Sequence, residues 1–118
     1  MPYLDAFVLP VQTALEADYI KMAELGCQMW LEHGALTYVE ARADDVPEGE
    51  VTSFPMAVKL EPGEMVYVSF ITYRDRAHRD EVNARIFADP RSQGWSIDSP
   101  ANMRRMIFGG FVPVVSSD

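Results

Sequence analysis

The sequence predicts an α+β fold in which a four-stranded antiparallel sheet carries two helices on one face. Strand-like and helix-like segments follow one another in the order β-α-β-β-α-β. The two helical segments repeat apolar residues at steps of three and four. The later strands are apolar on both faces, which indicates a sheet covered on both sides. A chain of 118 residues can bury one core, so we predict a single domain, 1–118.

Four segments have the β-branched and aromatic residues and turn-rich flanks of strands. They are residues 3–11, 35–43, 65–73 and 106–114. Pro10 favours a sheet edge or a strand end, because proline offers no N–H to a ladder. Residues 51–60 are ambiguous: Ser53 or Thr52 can cap a short helix with Pro55 in its first turn, or the segment can be extended. A loop at 93–100 precedes the last strand.

Two helices are predicted between these strands. The first begins at Thr13, which has the spacing of a capping box with Glu16, and it ends at His33-Gly34. The second is capped by Asp75 and ends at Asp89, because the following proline disfavours a helical residue before it.

This element order is the ferredoxin-like arrangement, whose crossovers place both helices on one face of the sheet. The opposite face holds Val66, Val68 and Phe70 in the third strand. Ile107 and Phe111 share one face of the last strand, and the chain has no further element to cover them. A second copy is the economical cover, so we predict a homodimer joined through its sheet faces.

Composition excludes several classes of partner. A net charge of −8 disfavours nucleic acid and anionic membranes, which repel an acidic surface. The N-terminal segment lacks the basic start of a signal peptide, and no apolar run is long enough to span a membrane. We therefore expect a cytoplasmic protein. The single Cys27 agrees, because it has no intrachain partner, and its place in a helical pattern favours a packed hydrophobe over a nucleophile.

No metal or cofactor is expected. The two histidines, His33 and His78, are far apart in sequence and in no recognisable ligand pattern, and we interpret them as a helix-end residue and a first-turn surface residue. Asp44-Asp45 can ligate a hard metal ion, but aspartate is also a common turn residue.

The second predicted helix carries Arg79 and Asn83 on one face, beside Val82 and Phe87. Leaving such a polar group unpaired in a core costs about 1–3 kcal/mol, so both side chains need partners. Arg79 either holds an anionic ligand in a cleft or binds protein groups, namely carbonyls after Pro90 or the Asp44-Asp45 loop. We favour the second interpretation, because charged groups near a core are usually paired within the protein.

If a ligand cleft exists, we expect it between the sheet and the helices, bounded by Trp30, Phe87, Asp44 and Arg79. The full set of candidate ligand-binding residues is Trp30, Asp44, Arg79, Asp80, Asn83 and Phe87. No catalytic residue is assigned. Asp5 or Glu40, on mostly apolar strands, could act as a general base if left unpaired in a cavity.

The chain resembles the YbaA-like bacterial proteins, a family of unknown function in the dimeric α+β barrel superfamily. The segments that carry the resemblance are ALTYVEARADDVPEGEVTSFPMAVKL at 35–60, Arg79-Asp80 with Asn83, Asp89-Pro90-Arg91, and MIFGGF at 106–111. Members of the family often have Cys-Trp after the glutamate of the second strand, where this chain has Ala41-Arg42. The resemblance implies a ferredoxin-like fold and a dimer, and it implies no activity.

Two functions remain open at this stage. The first is a dimer that binds a small ligand or has a purely structural role. The alternative is a cofactor-independent oxygenase or isomerase that acts on a small, partly aromatic molecule in the cleft between sheet and helices, where related barrels have such sites. The chain has neither a nucleophile elbow nor a phosphate loop, so the sequence does not decide between them.

Overall fold

A computed structural model describes residues 2–94 and 103–117. Its strands are β1 Tyr3–Gln12, β2 Thr37–Arg42, β3 Glu64–Tyr73 and β4 Ile107–Phe111. Its helices are α1 Glu16–Glu32, α2 Phe54–Ala57 and α3 Arg76–Ala88, with short 3₁₀ turns at Thr13–Leu15 and Pro90–Gly94. Most of the loop predicted at 93–100 lies outside the described residues.

The four strands form one antiparallel sheet in the order β2-β3-β1-β4. This order places the first strand in the centre and the second and last strands at the edges. The α+β, ferredoxin-like fold is therefore confirmed, and with it the position of both long helices on one face. That face packs on α1 and α3 through a core around Met29, Ile71, Tyr73, Val82 and Ile86, all buried.

The opposite face of the sheet carries apolar side chains that the described residues leave largely uncovered. We call it the open face, and it consists of Leu4, Ala6, Val8, Val39, Ala41, Val68, Phe70, Ile107 and Phe111. Adjacent strand residues alternate between faces, and the register places these nine side chains together. Phe70, at its middle, is 42% exposed, and Phe111 is 56% exposed.

The ambiguous segment at 51–60 contains a short helix. The Ser53 hydroxyl accepts a hydrogen bond from the backbone N–H of Met56 at 3.1 Å, and Pro55 lies in the first turn. This helix, α2, packs against β3, and Val58 just beyond it is fully buried together with Val66. The segment thus covers one end of the sheet face that the long helices leave bare.

Three local predictions need correction. Thr13 lies in a 3₁₀ turn and makes no side-chain cap, because the Glu16 carboxylate binds other partners. His78 is buried, not exposed: its Nδ1 accepts from the backbone N–H of Arg74, and its ring packs edge-on against Tyr73. Phe87 points outward from α3 and is 78% exposed.

Pro10 lies near the end of β1, a central strand, so of the two positions expected it has the strand end and not the edge. β4 pairs with β1 only from Leu4 to Val8, so at position 10 no ladder on that side requires an N–H. The caps at the other helix ends are confirmed. The Asp75 carboxylate accepts from the backbone N–H of His78, and Gly34 has the positive φ of a helix terminator.

Candidate functional site

Two polar clusters lie between the sheet and the helices, and each is centred on a carboxylate. The first is centred on Asp5 of β1, which is 4% exposed. Arg79 Nη1 donates to its Oδ1 at 2.8 Å, and the Tyr73 hydroxyl donates to its Oδ2 at 3.0 Å. Burial raises the pKa of Asp5, although the hydrogen bond from Tyr73 and the charge of Arg79 act in the opposite direction.

Each nitrogen of the Arg79 guanidinium donates to a protein group. Its Nε donates to Asp80 at 2.9 Å, and its guanidinium lies over the Tyr3 ring, 5.1 Å from the centroid. Its Nη2 donates to the Tyr3 hydroxyl at 3.2 Å. The partners are Asp5 and Asp80, not the loop after Pro90 or the Asp44-Asp45 loop named from the sequence. This arrangement is that of a structural ion pair between β1 and α3.

Four of the six residues predicted as ligand contacts belong to this cluster. Trp30 Nε1 of α1 donates to Asn83 Oδ1 of α3 at 3.3 Å, and Asn83 lies close enough to Asp5 to lower the pKa of that carboxyl. The other two lie elsewhere: Asp44 is exposed just beyond β2, and Phe87 is on the outer surface of α3.

The second cluster is centred on Glu40 of β2. Its Oε1 accepts from the Tyr19 hydroxyl at 2.6 Å and from the Ser69 hydroxyl at 2.7 Å. Its Oε2 accepts from the Tyr38 hydroxyl at 2.8 Å. Three elements, α1, β2 and β3, therefore each supply a hydroxyl to one carboxylate.

Local sequence explains how these groups meet. Glu40 is directly opposite Ser69 in the antiparallel register, and Tyr38 lies two residues before Glu40 on the same face. Gly26 brings α1 close: a Cβ at this position would lie 2.9 Å from the Tyr38 hydroxyl oxygen. A larger residue would push the Tyr38 ring away from Glu40.

A groove with a volume of about 410 Å³ opens over this second cluster, between α1 and β2. We call it the Glu40 groove, and its lining residues are Ile20, Ala23, Glu24, Cys27, Tyr38, Glu40, Arg42 and Tyr67. The volume is within the range of small-molecule sites. The boundaries expected from the sequence, Trp30, Asp44, Arg79 and Phe87, are not among the described residues that line it.

Arg42, which lines the groove, forms an ion pair with Glu16. Arg42 Nη1 lies 3.1 Å from both carboxylate oxygens of Glu16, and the Tyr67 hydroxyl donates to Glu16 at 2.6 Å. These bonds lower the pKa of Glu16, the hydrogen bond from Tyr67 most of all. Burial, followed by the bond to Glu16, raises the pKa of Tyr67 to about 12.

A smaller groove, about 140 Å³, lies on the other side of the sheet. Its lining residues are Ala41, Arg42, Ala43, Asp44, Val46, Phe54, Val66 and Val68. Asp44 is therefore next to α2 and not beside Arg79. Among residues 2–94 and 103–117, no group of His, Cys, Asp or Glu side chains is arranged to hold a metal ion. No helix in these ranges is long and apolar enough to span a membrane.

From the sequence, Glu40 is a candidate general base on a mostly apolar strand, but no pattern places it at the centre of a site. The available signal was the alternation Tyr38, Glu40, Arg42, which puts three polar groups on one face of β2. The missing information was Tyr19, whose hydroxyl comes from a helix 21 residues earlier in the chain.

Comparisons with known proteins place the chain in context. The profile of a family described as "Protein of unknown function (DUF1428)" matches residues 2–104. The chain is 40% identical to uncharacterized protein YbaA of Escherichia coli K12 over 115 residues, which cover 98% of each chain. The same protein of Shigella flexneri shows the same identity and coverage.

Among solved structures, the chain is similar to a dimeric ferredoxin-like protein from an uncultured marine organism. The TM-score is 0.57 and the identity 14%, and the alignment covers 98% of this chain and 99% of the other. At this identity the likeness supports the fold alone.

Proposed function

Since this chain belongs to the DUF1428 family of proteins of unknown function, we propose a function from its own geometry: it is a homodimer that binds a small organic molecule in the Glu40 groove. The observation that carries the proposal is the meeting of three hydroxyls on one carboxylate beside an open groove of about 410 Å³.

Such a cluster is more than the fold requires. Replacing a buried polar network by apolar side chains of similar volume is often neutral for stability, so a scaffold has little need of one. A groove with apolar walls and a few convergent polar groups is the usual form of a small-molecule site. Here Ile20 and Ala23 supply apolar wall on α1, and Glu40 supplies the polar floor.

Binding is favoured over the alternative of a cofactor-independent oxygenase or isomerase. A general base needs free lone pairs within reach of the substrate. Glu40 is the carboxylate best placed in the groove, but Tyr19, Tyr38 and Ser69 already occupy three of its four acceptor positions, which leaves a single position on Oε2. An acceptor engaged in this way holds and orients a ligand better than it removes a proton.

The dimer half of the proposal is that two open faces pack against each other and form an α+β barrel. The support is the apolar character of all four strands on that face, with Phe70 in the middle. The ferredoxin-like structural neighbour is described as dimeric. A cytoplasmic location belongs to the same proposal and is supported by the single, free Cys27.

A fragment screen by NMR tests the ligand site. We expect some fragments to shift the backbone amides of 20–27 and 38–42 in the wild-type protein. Ala23→Leu, which fills the groove wall, should abolish these shifts. Ala17→Leu, the same change at an exposed position of the same helix, should preserve them. If no fragment in a broad library perturbs these amides, the protein has no small-molecule site here and a structural role replaces the proposal.

A further inference from the structure

We infer that the Glu40 groove, if it has the binding function proposed above, recognises the ammonium group of a small amine whose apolar part lies against α1. The inference rests on which hydrogen-bonding positions in the groove are already occupied and on how its charges are paired.

The floor of the groove offers acceptors. An ionised carboxylate has about four acceptor positions, two on each oxygen. Glu40 Oε1 uses both of its positions, on Tyr19 and Ser69. Oε2 accepts from Tyr38, and within the described part of the chain it has no second donor. One position on Oε2 therefore remains for a donor from a ligand.

The hydroxyls around Glu40 have no proton left to donate to a ligand. Tyr19 and Tyr38 each have one proton, and each gives it to the carboxylate. Burial, followed by the charge of Glu40, raises the pKa of both phenols, so they stay protonated and their bonds persist at neutral pH. A ligand meets only oxygen lone pairs on this floor.

Arg42 is the cation that could favour an anionic ligand instead. Its guanidinium is paired with Glu16, 3.1 Å from both carboxylate oxygens. Glu24, also on the groove wall, forms no ion pair with any described residue. Glu24 and Glu40 therefore leave the groove negative, and a charge of this sign attracts cations.

The aromatic wall adds to this preference. Tyr38 and Tyr67 line the groove beside Glu40, and tyrosine rings attract a cation that lies over their faces. Ile20 and Ala23 lie across from them on α1 and provide contact for an apolar body. A primary amine with an aromatic or aliphatic body matches all of these walls.

Three probes that share a phenethyl group test the inference on the wild-type protein. They are phenethylamine, 2-phenylethanol and 3-phenylpropionate, which at pH 7 are a cation, a neutral molecule and an anion. Titrations followed on the amides of 20–27 and 38–42 should show phenethylamine binding at least tenfold more tightly than the alcohol, with the anion weakest. Equal affinities for amine and alcohol, or tightest binding of the anion, would overturn the inference.

A variant then tests the role of Glu40. Glu40→Gln keeps the size and one acceptor oxygen, which can still accept from Tyr19 and Ser69, and its NH2 can donate to the Tyr38 hydroxyl oxygen. We therefore expect the variant to remain folded, to bind phenethylamine about tenfold more weakly and to bind the alcohol with unchanged affinity. Glu50→Gln, which removes an exposed carboxylate from the loop after β2, is the matched control and should bind like wild type. Undiminished binding of the amine to Glu40→Gln would also overturn the inference.

Failure of this inference is distinguishable from failure of the proposed function. Neutral or anionic fragments that bind in the groove while phenethylamine does not would refute the ammonium preference and leave the site intact. A groove that binds no fragment of any charge would refute both.

Discussion

Asp5 shows how one buried carboxylate determines the roles of its neighbours. It is nearly inaccessible and has Arg79 and Tyr73 as donors, so its charge is compensated within the protein. Removing one partner of such a pair costs more than the pair contributes, because the other charge is left buried. We therefore expect Arg79 to have a structural role, so that its substitution affects stability before function.

We expect Arg79→Ala to lower the free energy of unfolding by about 2–3 kcal/mol at pH 7. Because burial raises the pKa of Asp5, and loss of Arg79 raises it further, the folded variant gains stability from a protonated Asp5. That gain is present at low pH and is lost as the pH rises through the raised pKa. The deficit against wild type should thus be smaller at pH 4 than at pH 8 in urea unfolding.

The control is Arg76→Ala, one turn earlier on α3, where the arginine is exposed and lies 3.9 Å from Asp80. It should cost less than about 0.5 kcal/mol at either pH. Equal deficits for the two variants would contradict the structural role of Arg79.

The sequence was sufficient to identify Arg79 and Asn83 as residues that need partners, because helical spacing alone places them beside the apolar residues of the same helix. It was not sufficient to name those partners. Asp5 is separated from Arg79 by 74 residues, and which carboxylate Arg79 reaches depends on how α3 is rotated against the sheet. The outward position of Phe87 has the same cause: its neighbour Ile86 occupies the core position.

At the scale of elements, the contact between α1 and β2 depends on a glycine. Gly26→Ala places a Cβ 2.9 Å from the Tyr38 hydroxyl oxygen, so the ring must leave Glu40. The lost bond to a charged group outweighs the gain of about 1 kcal/mol in helix propensity. We expect a net loss of about 1 kcal/mol in thermal or urea unfolding.

The same change in a Tyr38→Phe background should have the opposite sign. Without the hydroxyl, the nearest ring atom is 3.6 Å away, which is ordinary contact. Gly26→Ala should then stabilise this variant by up to about 1 kcal/mol. A loss of stability in both backgrounds would show that the helix approach, and not the hydroxyl, requires the glycine.

A second link joins the ends of the two long helices. Asp89, just beyond α3, lies 2.9 Å from His33 Nε2 at the end of α1 and 2.7 Å from Arg91 Nη2. Arg91 also reaches Glu32 at 2.7 Å. The hydrogen bond from Arg91, followed by that from His33, holds the pKa of Asp89 well below its ordinary 3.8.

Asp89→Asn should therefore be less stable than wild type at neutral pH. A lowered carboxyl pKa stabilises the fold fully above the ordinary value of 3.8, and this contribution is lost as the pH falls through the lowered pKa. The two proteins should converge in stability toward pH 2. Asp45→Asn, in an exposed loop, should match wild type throughout. A difference in stability between Asp89→Asn and wild type that stays constant with pH would exclude the ionised carboxylate as its cause.

At the scale of the whole molecule, the uncovered sheet face predicts dependence on protein concentration. We expect the melting temperature to rise with concentration, because dimerisation stabilises the folded chain by mass action. Phe70→Glu, at the middle of the open face, should give monomers in analytical ultracentrifugation and a lower melting temperature.

Phe87→Glu is the matched control, since this phenylalanine is more exposed but lies on the helix layer. It should sediment as a dimer. A well-folded wild-type monomer at micromolar concentration, or dissociation by Phe87→Glu alone, would reject the open face as the interface.

The fold was predictable because helices and strands each repeat apolar residues at a characteristic spacing along the sequence. Element order and the two-sided apolar pattern of β3 and β4 specify the sheet, its helix layer and the bare face. The Glu40 groove was not predictable in the same way. The groove requires the hydroxyls of Tyr19, Tyr38 and Ser69 to lie within 3 Å of one carboxylate. A periodic pattern predicts single helices and strands, but it does not predict distances between side chains of different elements.

The central position of β1 has a consequence for synthesis of the chain on the ribosome. β1 is made first, but its neighbours are β3, which ends at Tyr73, and β4, which ends at Phe111. At about 5–20 residues per second, the nascent strand spends several seconds with both edges unpaired. An apolar strand with unpaired edges can pair with strands of other chains. We therefore expect the risk of aggregation to be greatest on polysomes, where nascent chains are close together.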